Sequence, residues 1–261
     1  MTENLEKPRM GRPQGECRIL GVNFHVGDAR GAFDRISGGG LLVVPAAPAL
    51  KDIAFNPGYR EALINADLAI TDSALMVLAW NLLKRDSIHR LSGLKYLRVL
   101  LQQSAVRTPG STLWIMAGPA STRKNLDWLQ TQGIDVPPEC VYEAPIYGPD
   151  IEDRALIEKL HLLRARHVVI TIGGGTQERL GLYLKSHLDY LPAIHCIGAA
   201  IAFLSGDQVR IPEWADNLYL GWFFRCLSSP LRYIPRYWSA PRLVPLIWRY
   251  GSQLPDRNES L

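Results

Sequence analysis

Short apolar runs alternate along this chain with segments whose apolar residues recur every three or four positions. The runs at 19–22, 41–44, 68–70, 112–117, 141–144, 167–172 and 193–197 have the length of strands and are largely apolar. Strands covered on both faces read this way. Between them the spacing predicts helices over 29–36, 49–55, 59–65, 74–84, 92–104, 118–130, 153–166 and 177–187. The pattern is clearest after residues 68–70, where Leu75, Leu78, Ala79, Leu82 and Leu83 follow i, i+3, i+4, i+7, i+8 spacing. Glycines mark several junctions, among them Gly118 and Gly173-Gly174-Gly175. Such alternation predicts an α/β fold, a mostly parallel sheet flanked by helices.

The rhythm changes after about residue 205. The expected organisation is a tail over 1–16, a core over 17–205, an appendage over 206–250 and a second tail over 251–261. Residues 217–250 hold five arginines, nine aromatics and no acid, and prolines at 230, 235, 241 and 245 divide any helix there into short pieces. Arginine-and-aromatic helices suit the interface of an anionic membrane, with Trp and Tyr at headgroup depth. Trp222, Arg225, Arg232, Arg236 and Trp238 are the residues expected to bind it. A helical hairpin packed on the core and a single-stranded nucleic-acid surface are the competing readings of the same composition.

Bulk composition narrows the class without naming a function. The chain has 261 residues, 47% apolar and 21% charged, which suits a globular protein with a sizeable core. A net charge of +4 is too small to argue for nucleic acid. Four scattered cysteines without a CxxC pair read as reduced thiols, and no metal-ligand spacing is present. The first residues lack the apolar core of a signal peptide, and no run approaches 18 apolar residues. The expected location is cytoplasmic, at most lying on a membrane.

Candidate chemistry gathers at strand-to-helix turns, where open α/β sheets bind ligands. Asp72 follows the 68–70 run and precedes the clearest helix, so its carboxylate sits beside a positive helix N-terminus. Thr71, Asp72 or Ser73 can cap that helix. Arg90, in Arg90-Leu91-Ser92-Gly93, offers a planar donor fork for a phosphate. Gly173-Gly174-Gly175 with Thr176 and Gln177 can bring backbone N–H groups to a diphosphate, or can be a tight turn alone. Gly118-Pro119-Ala120-Ser121-Thr122 with Arg123 is a second nucleotide-loop candidate. Asn23 and His25 follow the first run and can line the cleft, and Glu178 is a second carboxylate or a helix-start charge.

Taken together, these pieces resemble the WecG/TagA/CpsF glycosyltransferases over roughly residues 20–250. Residues 65–72 are similar to that family's "ADLVLPDG" element, and Arg90 to Gly93 to its "R-x-x-G". Gly175-Thr176-Gln177-Glu178 is similar to its "G-x-P-x-Q-E" turn, and Gly198 to Gly206 with Val209, Pro212, Trp214, Trp222 and Arg225 follows its C-terminal pattern. The resemblance implies a Rossmann-like fold and an inverting sugar transfer with Asp72 as base. The donor would be a UDP-sugar, with Arg90, Gln177, Gly175, Thr176 and Ser73 at the substrates, and Asn23 and Gly118 added by the reading of the turns above. The acceptor would be a polyprenyl-diphosphate-linked saccharide at the inner face of the plasma membrane. It implies no cofactor and no metal; a homo-oligomer is an open expectation, and nucleic acid is not an expected partner. Polar positions of the family pattern fall here on Val44, Ala46, Ala202 and Gly221. These changes motivate an alternative, a non-catalytic member that binds a nucleotide-sugar or lipid-linked sugar within a biosynthetic complex.

Overall fold

The computed structural model describes residues 15–208, 221–228 and 230–257, with the backbone alone at 225, 228, 232, 233 and 236. Its strands are β1 (Glu16–Ile19), β2 (Val22–His25), β3 (Gly40–Val43) and β4 (Leu68–Ile70). They continue with β5 (Thr112–Met116), β6 (Val141–Glu143), β7 (His167–Ile170) and β8 (Ala193–Cys196). All eight lie in one sheet ordered β1-β2-β4-β3-β8-β7-β5-β6. Every pairing is parallel except that of β1 with β2.

The central strands β3, β7 and β8 are buried at every position, which is why, His167 and His195 apart, their sequences are apolar without alternation. The two-residue period of a strand still divides the core. Leu41 and Val43 join one hydrophobic cluster and Leu42 the other; Val168 and Ile170 part from Val169 in the same way. Helices α1 (Ala29–Ile36), α5 (Gly93–Leu100) and α7 (Pro119–Thr131) cover one face. Helices α3 (Pro57–Ile64), α4 (Ala74–Lys84), α8 (Arg154–Leu163) and α9 (Thr176–His187) cover the other. This is the expected Rossmann-like α/β arrangement.

Three expectations about local structure are corrected. The run at 19–22 is not one strand but the corner of the β1–β2 hairpin. Leu20 and Gly21 both take positive φ there, 50° and 80°, as a two-residue hairpin loop requires. Glu16 accordingly opens β1 rather than closing a tail. The helix expected over 49–55 is the short α2 (Ala47–Leu50), which starts earlier because Pro48 sits inside its first turn. The helix expected over 92–104 ends at Leu100, and a separate turn, α6 (Ser104–Arg107), follows.

Past the core, α10 (Ala202–Ser205) is followed by the helices α11 (Gly221–Ser228), α12 (Pro230–Trp238) and α13 (Leu243–Tyr250). Helices α11 and α12 pack on each other, and Trp222 lies 6.3 Å from Tyr237 between ring centroids. Helix α13 packs on α4 and buries Leu243, Leu246 and Ile247 in the larger hydrophobic cluster. Burying each such side chain contributes about 1.5–3 kcal/mol. Beyond it, the carbonyls of Gly251 and Ser252 accept the N–H groups of Leu20 (2.8 Å) and Gly21 (3.1 Å). A β-carbon at Gly21 would lie only 2.7 Å from that of Leu254, so the hairpin corner and residues 251–254 fit together only with glycine there.

Candidate active site

The strands other than β1 deliver their C-terminal ends to one edge of the sheet, and the loops leaving β3, β4 and β8 meet there. The meeting point is Gly93, the first residue of α5. A β-carbon built on Gly93 would lie 3.2 Å from Val44 Cγ1 after β3, 3.7 Å from the Ile197 carbonyl after β8, and 3.9 Å from Asp72 Oδ1 after β4. Only a residue without a side chain leaves this corner uncrowded.

Asp72 occupies the corner as the sequence predicts. Its Oδ1 accepts the Gly93 N–H at 2.9 Å, and Arg90 Nη2 lies 3.6 Å from the same oxygen. Arg90 Nε donates to the Asp72 carbonyl at 2.6 Å. Arg90 is therefore turned onto Asp72, and its side chain is only 13% exposed. Among the described residues no hydrogen bond reaches Asp72 Oδ2. The carboxylate thus has one oxygen held and one open, a geometry suited to accepting a proton from a bound hydroxyl.

Ser73, not Asp72 or Thr71, caps α4; its hydroxyl accepts the Met76 N–H at 3.2 Å and is buried. Thr71 is buried as well, and its hydroxyl donates to the His89 carbonyl at 2.8 Å and accepts the Leu91 N–H at 3.0 Å. These bonds fold the segment after α4 back alongside the corner and bring Arg90 to Asp72.

A second part of the edge is built around α9. Gly175, at φ +93°, precedes the helix, and its N–H donates to Glu178 Oε2 at 2.6 Å. Gln177 is 2% exposed; its Oε1 accepts the Gly198 N–H at 2.6 Å, and its Nε2 donates to Glu178 Oε1 at 3.2 Å. Gln177 and Glu178 therefore tie the glycine-rich turn after β7 to the turn after β8, beneath the surface. Burial, with Glu178 nearby, pushes the Cys196 thiol well above its ordinary pKa, so it is an inert neighbour. Thr176 opens α9, and Arg179 bridges from the Gly175 carbonyl to the carbonyls of Gly148 and Pro149.

The remaining candidates stand apart from the corner. Gly118, at φ +152°, precedes α7 beyond β5, with open space where a β-carbon would point. Asn23 lies inside β2, exposed and opposite Arg18 in the hairpin. His25 pairs with Ile70 and is bonded through Nε2 to the Asp28 carbonyl; burial lowers its pKa. Trp222 and Trp238 are 48% and 85% exposed, and with Phe223, Cys226, Leu227 and Ile234 they line an apolar cavity of about 680 Å³. The side chains of Arg225, Arg232 and Arg236 lie outside the described residues, as do Val209, Pro212 and Trp214.

Sequence reasoning passed over three contributors: the Gly93 amide, the Thr71 hydroxyl as a tie, and Asn81, whose side-chain amide pairs with the backbone N–H and carbonyl of Ile88 in the segment leading to Arg90. The signal for Asn81 was present, since it is the one amide side chain in the otherwise apolar stretch from Ala74 to Leu83.

No curated protein matches the chain closely. The model of the Glycosyl transferase WecG/TagA/CpsF family matches residues 17–257. That span takes in both parts of the sheet edge and the helices beyond it. The chain therefore belongs to the WecG/TagA/CpsF family, glycosyltransferases of cell-envelope polysaccharide synthesis that use a nucleotide-sugar donor and a lipid-linked acceptor.

Proposed function

We propose that the protein is an inverting transferase that moves a hexose, an N-acetylhexosamine or its uronic acid from a UDP-sugar. The acceptor is a polyprenyl-diphosphate-linked saccharide of exopolysaccharide or envelope synthesis. The observation that carries this is the Asp72 corner, a carboxylate with Oδ1 held by Gly93 and Oδ2 open at the C-terminal sheet edge. Asp72 Oδ2 takes the proton of the acceptor hydroxyl as that oxygen attacks the anomeric carbon from the face opposite the diphosphate. The bond from that carbon to the diphosphate oxygen breaks, and its electron pair leaves with UDP.

Arg90 orients the base and lends positive charge to the leaving diphosphate. The turns at Gly118 and at Gly173-Gly174-Gly175, with Thr176, supply backbone donors to the nucleotide. Gln177 acts through Gly198, whose N–H it holds, and Ser73 acts as the cap of the helix behind the base. Helices α11 and α12 dock on the anionic inner face of the plasma membrane through Trp222 and Trp238, aided by Arg225, Arg232 and Arg236. No helix among the described residues is long and apolar enough to cross a membrane.

The test is UDP release from a panel of UDP-sugars with a panel of polyprenyl-diphosphate-linked saccharides as acceptor, wild type against Asp72→Asn. Release that requires both acceptor and Asp72 is expected. A UDP-sugar that binds without release, across acceptors, would replace transfer with the non-catalytic reading. The apolar Val44 beside Gly93 is the observation that favours that second reading.

A further inference from the structure

The segment that carries Arg90, residues 85–92, belongs to no helix or strand, so its backbone groups need partners from outside any ladder. Side chains supply them at three points. Asn81 Nδ2 donates to the Ile88 carbonyl at 2.9 Å, and Asn81 Oδ1 accepts the Ile88 N–H at 3.0 Å. Trp80 Nε1 donates to Asp86 Oδ2 at 2.8 Å, and the Asp86 carboxylate in turn accepts the Ser87 N–H at 2.9 Å. Thr71 holds the His89 carbonyl and the Leu91 N–H with one hydroxyl. Those last two groups lie immediately before and after Arg90. A single buried oxygen, adjacent in sequence to Asp72, therefore fixes the peptide units on both sides of the residue that meets Asp72.

We propose that Thr71 and Asn81 are positioning residues for transfer, forming a side-chain clamp on residues 85–92. The clamp delivers Arg90 and the Gly93 amide to Asp72 Oδ1 and so directs Oδ2 toward the acceptor. Neither residue touches substrate. The proposal rests on the catalytic role given to Asp72, but the clamp itself can be read without turnover. Misplacing a reacting group by about 1 Å can cost on the order of a hundredfold in rate, so a clamp two bonds removed from the base has a measurable effect.

The experiment uses the full chain and three substitutions. Thr71→Val keeps the shape and removes the hydroxyl, Thr71→Ser keeps the hydroxyl and removes a methyl, and Asn81→Ala removes the second grip. Amide hydrogen exchange is followed by NMR at Ile88, Leu91 and Gly93, with amides of β3 and β8 as internal controls. UDP release is followed with the donor and acceptor panels named above. In Thr71→Val, exchange at Leu91 and Gly93 should rise at least about tenfold while the controls hold. Its kcat should fall at least about tenfold, with donor KM within about twofold. Thr71→Ser should restore both readouts, and Asn81→Ala should free Ile88. Protection of Leu91 and Gly93 that persists in Thr71→Val overturns the clamp, as does a loss of kcat that serine fails to rescue. A wild-type protein that releases no UDP from any donor sinks the transferase reading instead, while the exchange pattern still decides the clamp.

Discussion

The β4–α4 corner and the α11–α12 pair are opposite solutions to the problem of meeting a ligand. At the corner, polar groups are engaged with one another before anything binds. Asp72 Oδ1, the Arg90 guanidinium, the Thr71 hydroxyl and the Gly93 amide all have partners, at distances from 2.6 to 3.6 Å. In the helical pair, Trp222, Phe223, Leu227, Leu231, Ile234 and Trp238 are apolar and exposed among the described residues. A fixed polar corner loses little freedom when a reaction begins, whereas an apolar surface stabilises a complex only by leaving water. The first suits chemistry and the second suits attachment, and each can be broken without the other.

The largest expected effect is at the corner. Asp72→Asn should lower transfer by about a thousandfold with the thermal midpoint nearly unchanged, and wild-type-like UDP release from it would end the catalytic assignment. Arg90→Ala should lower kcat by about a hundredfold, because the carboxylate loses its lateral support; an effect on KM alone would show that the side chain only binds donor. At the other region, Trp222→Ser with Trp238→Ser should reduce sedimentation with phosphatidylglycerol vesicles by about tenfold. Binding that is unaffected would remove α11 and α12 from the membrane reading while leaving the corner intact.

The smallest effect concerns the sheet that carries both regions. His195 and His167 are buried and bonded to each other at 3.2 Å, and Tyr96 bonds His195 at 2.8 Å. Burial holds the pKa of His195 well below, and that of His167 below, the ordinary value. As pH falls past about 6.5 the unfolded chain takes up protons that the folded one refuses. Stability is thus complete above about 6.5 and is lost below it, by up to about 1.4 kcal/mol per pH unit for each histidine. The urea midpoint should drop between pH 7.5 and 5.5; a flat profile would show that the histidines protonate within the fold. Comparisons of the two regions therefore belong above pH 6.5.

Much of this was legible in the sequence because it is local. The end of an apolar run followed by Thr71-Asp72-Ser73 and an amphipathic helix locates both strand and corner within a few residues. What stayed hidden depends on partners far along the chain. The sequence offers three capping candidates for α4, and Ser73 takes the role because Asp72 turns away to an amide 21 residues on. Gln177, a polar residue at a helix start, looks like a ligand for a substrate, yet it points inward to the N–H of Gly198, also 21 residues on. The β1–β2 hairpin was concealed because Leu20 is apolar like its neighbours, and only the positive φ of Leu20 and Gly21 turns the run back. Helix α13 shared the aromatic and basic composition of the stretch before it, although its buried face, Leu243, Leu246 and Ile247, is that of a core helix.

The bonds from the hairpin corner to Gly251 and Ser252 make the exposed helices a handle whose far end is fastened to the sheet. That handle is tethered to the core through α13, which packs on α4. It also cannot be sawn off from one side. Trimming the chain back from its C-terminus would withdraw Leu243, Leu246 and Ile247 from the interior, at about 1.5–3 kcal/mol each, before the handle was reached. Removal of α11 and α12 alone, with α13 kept, therefore leaves the last turn of the fold in place.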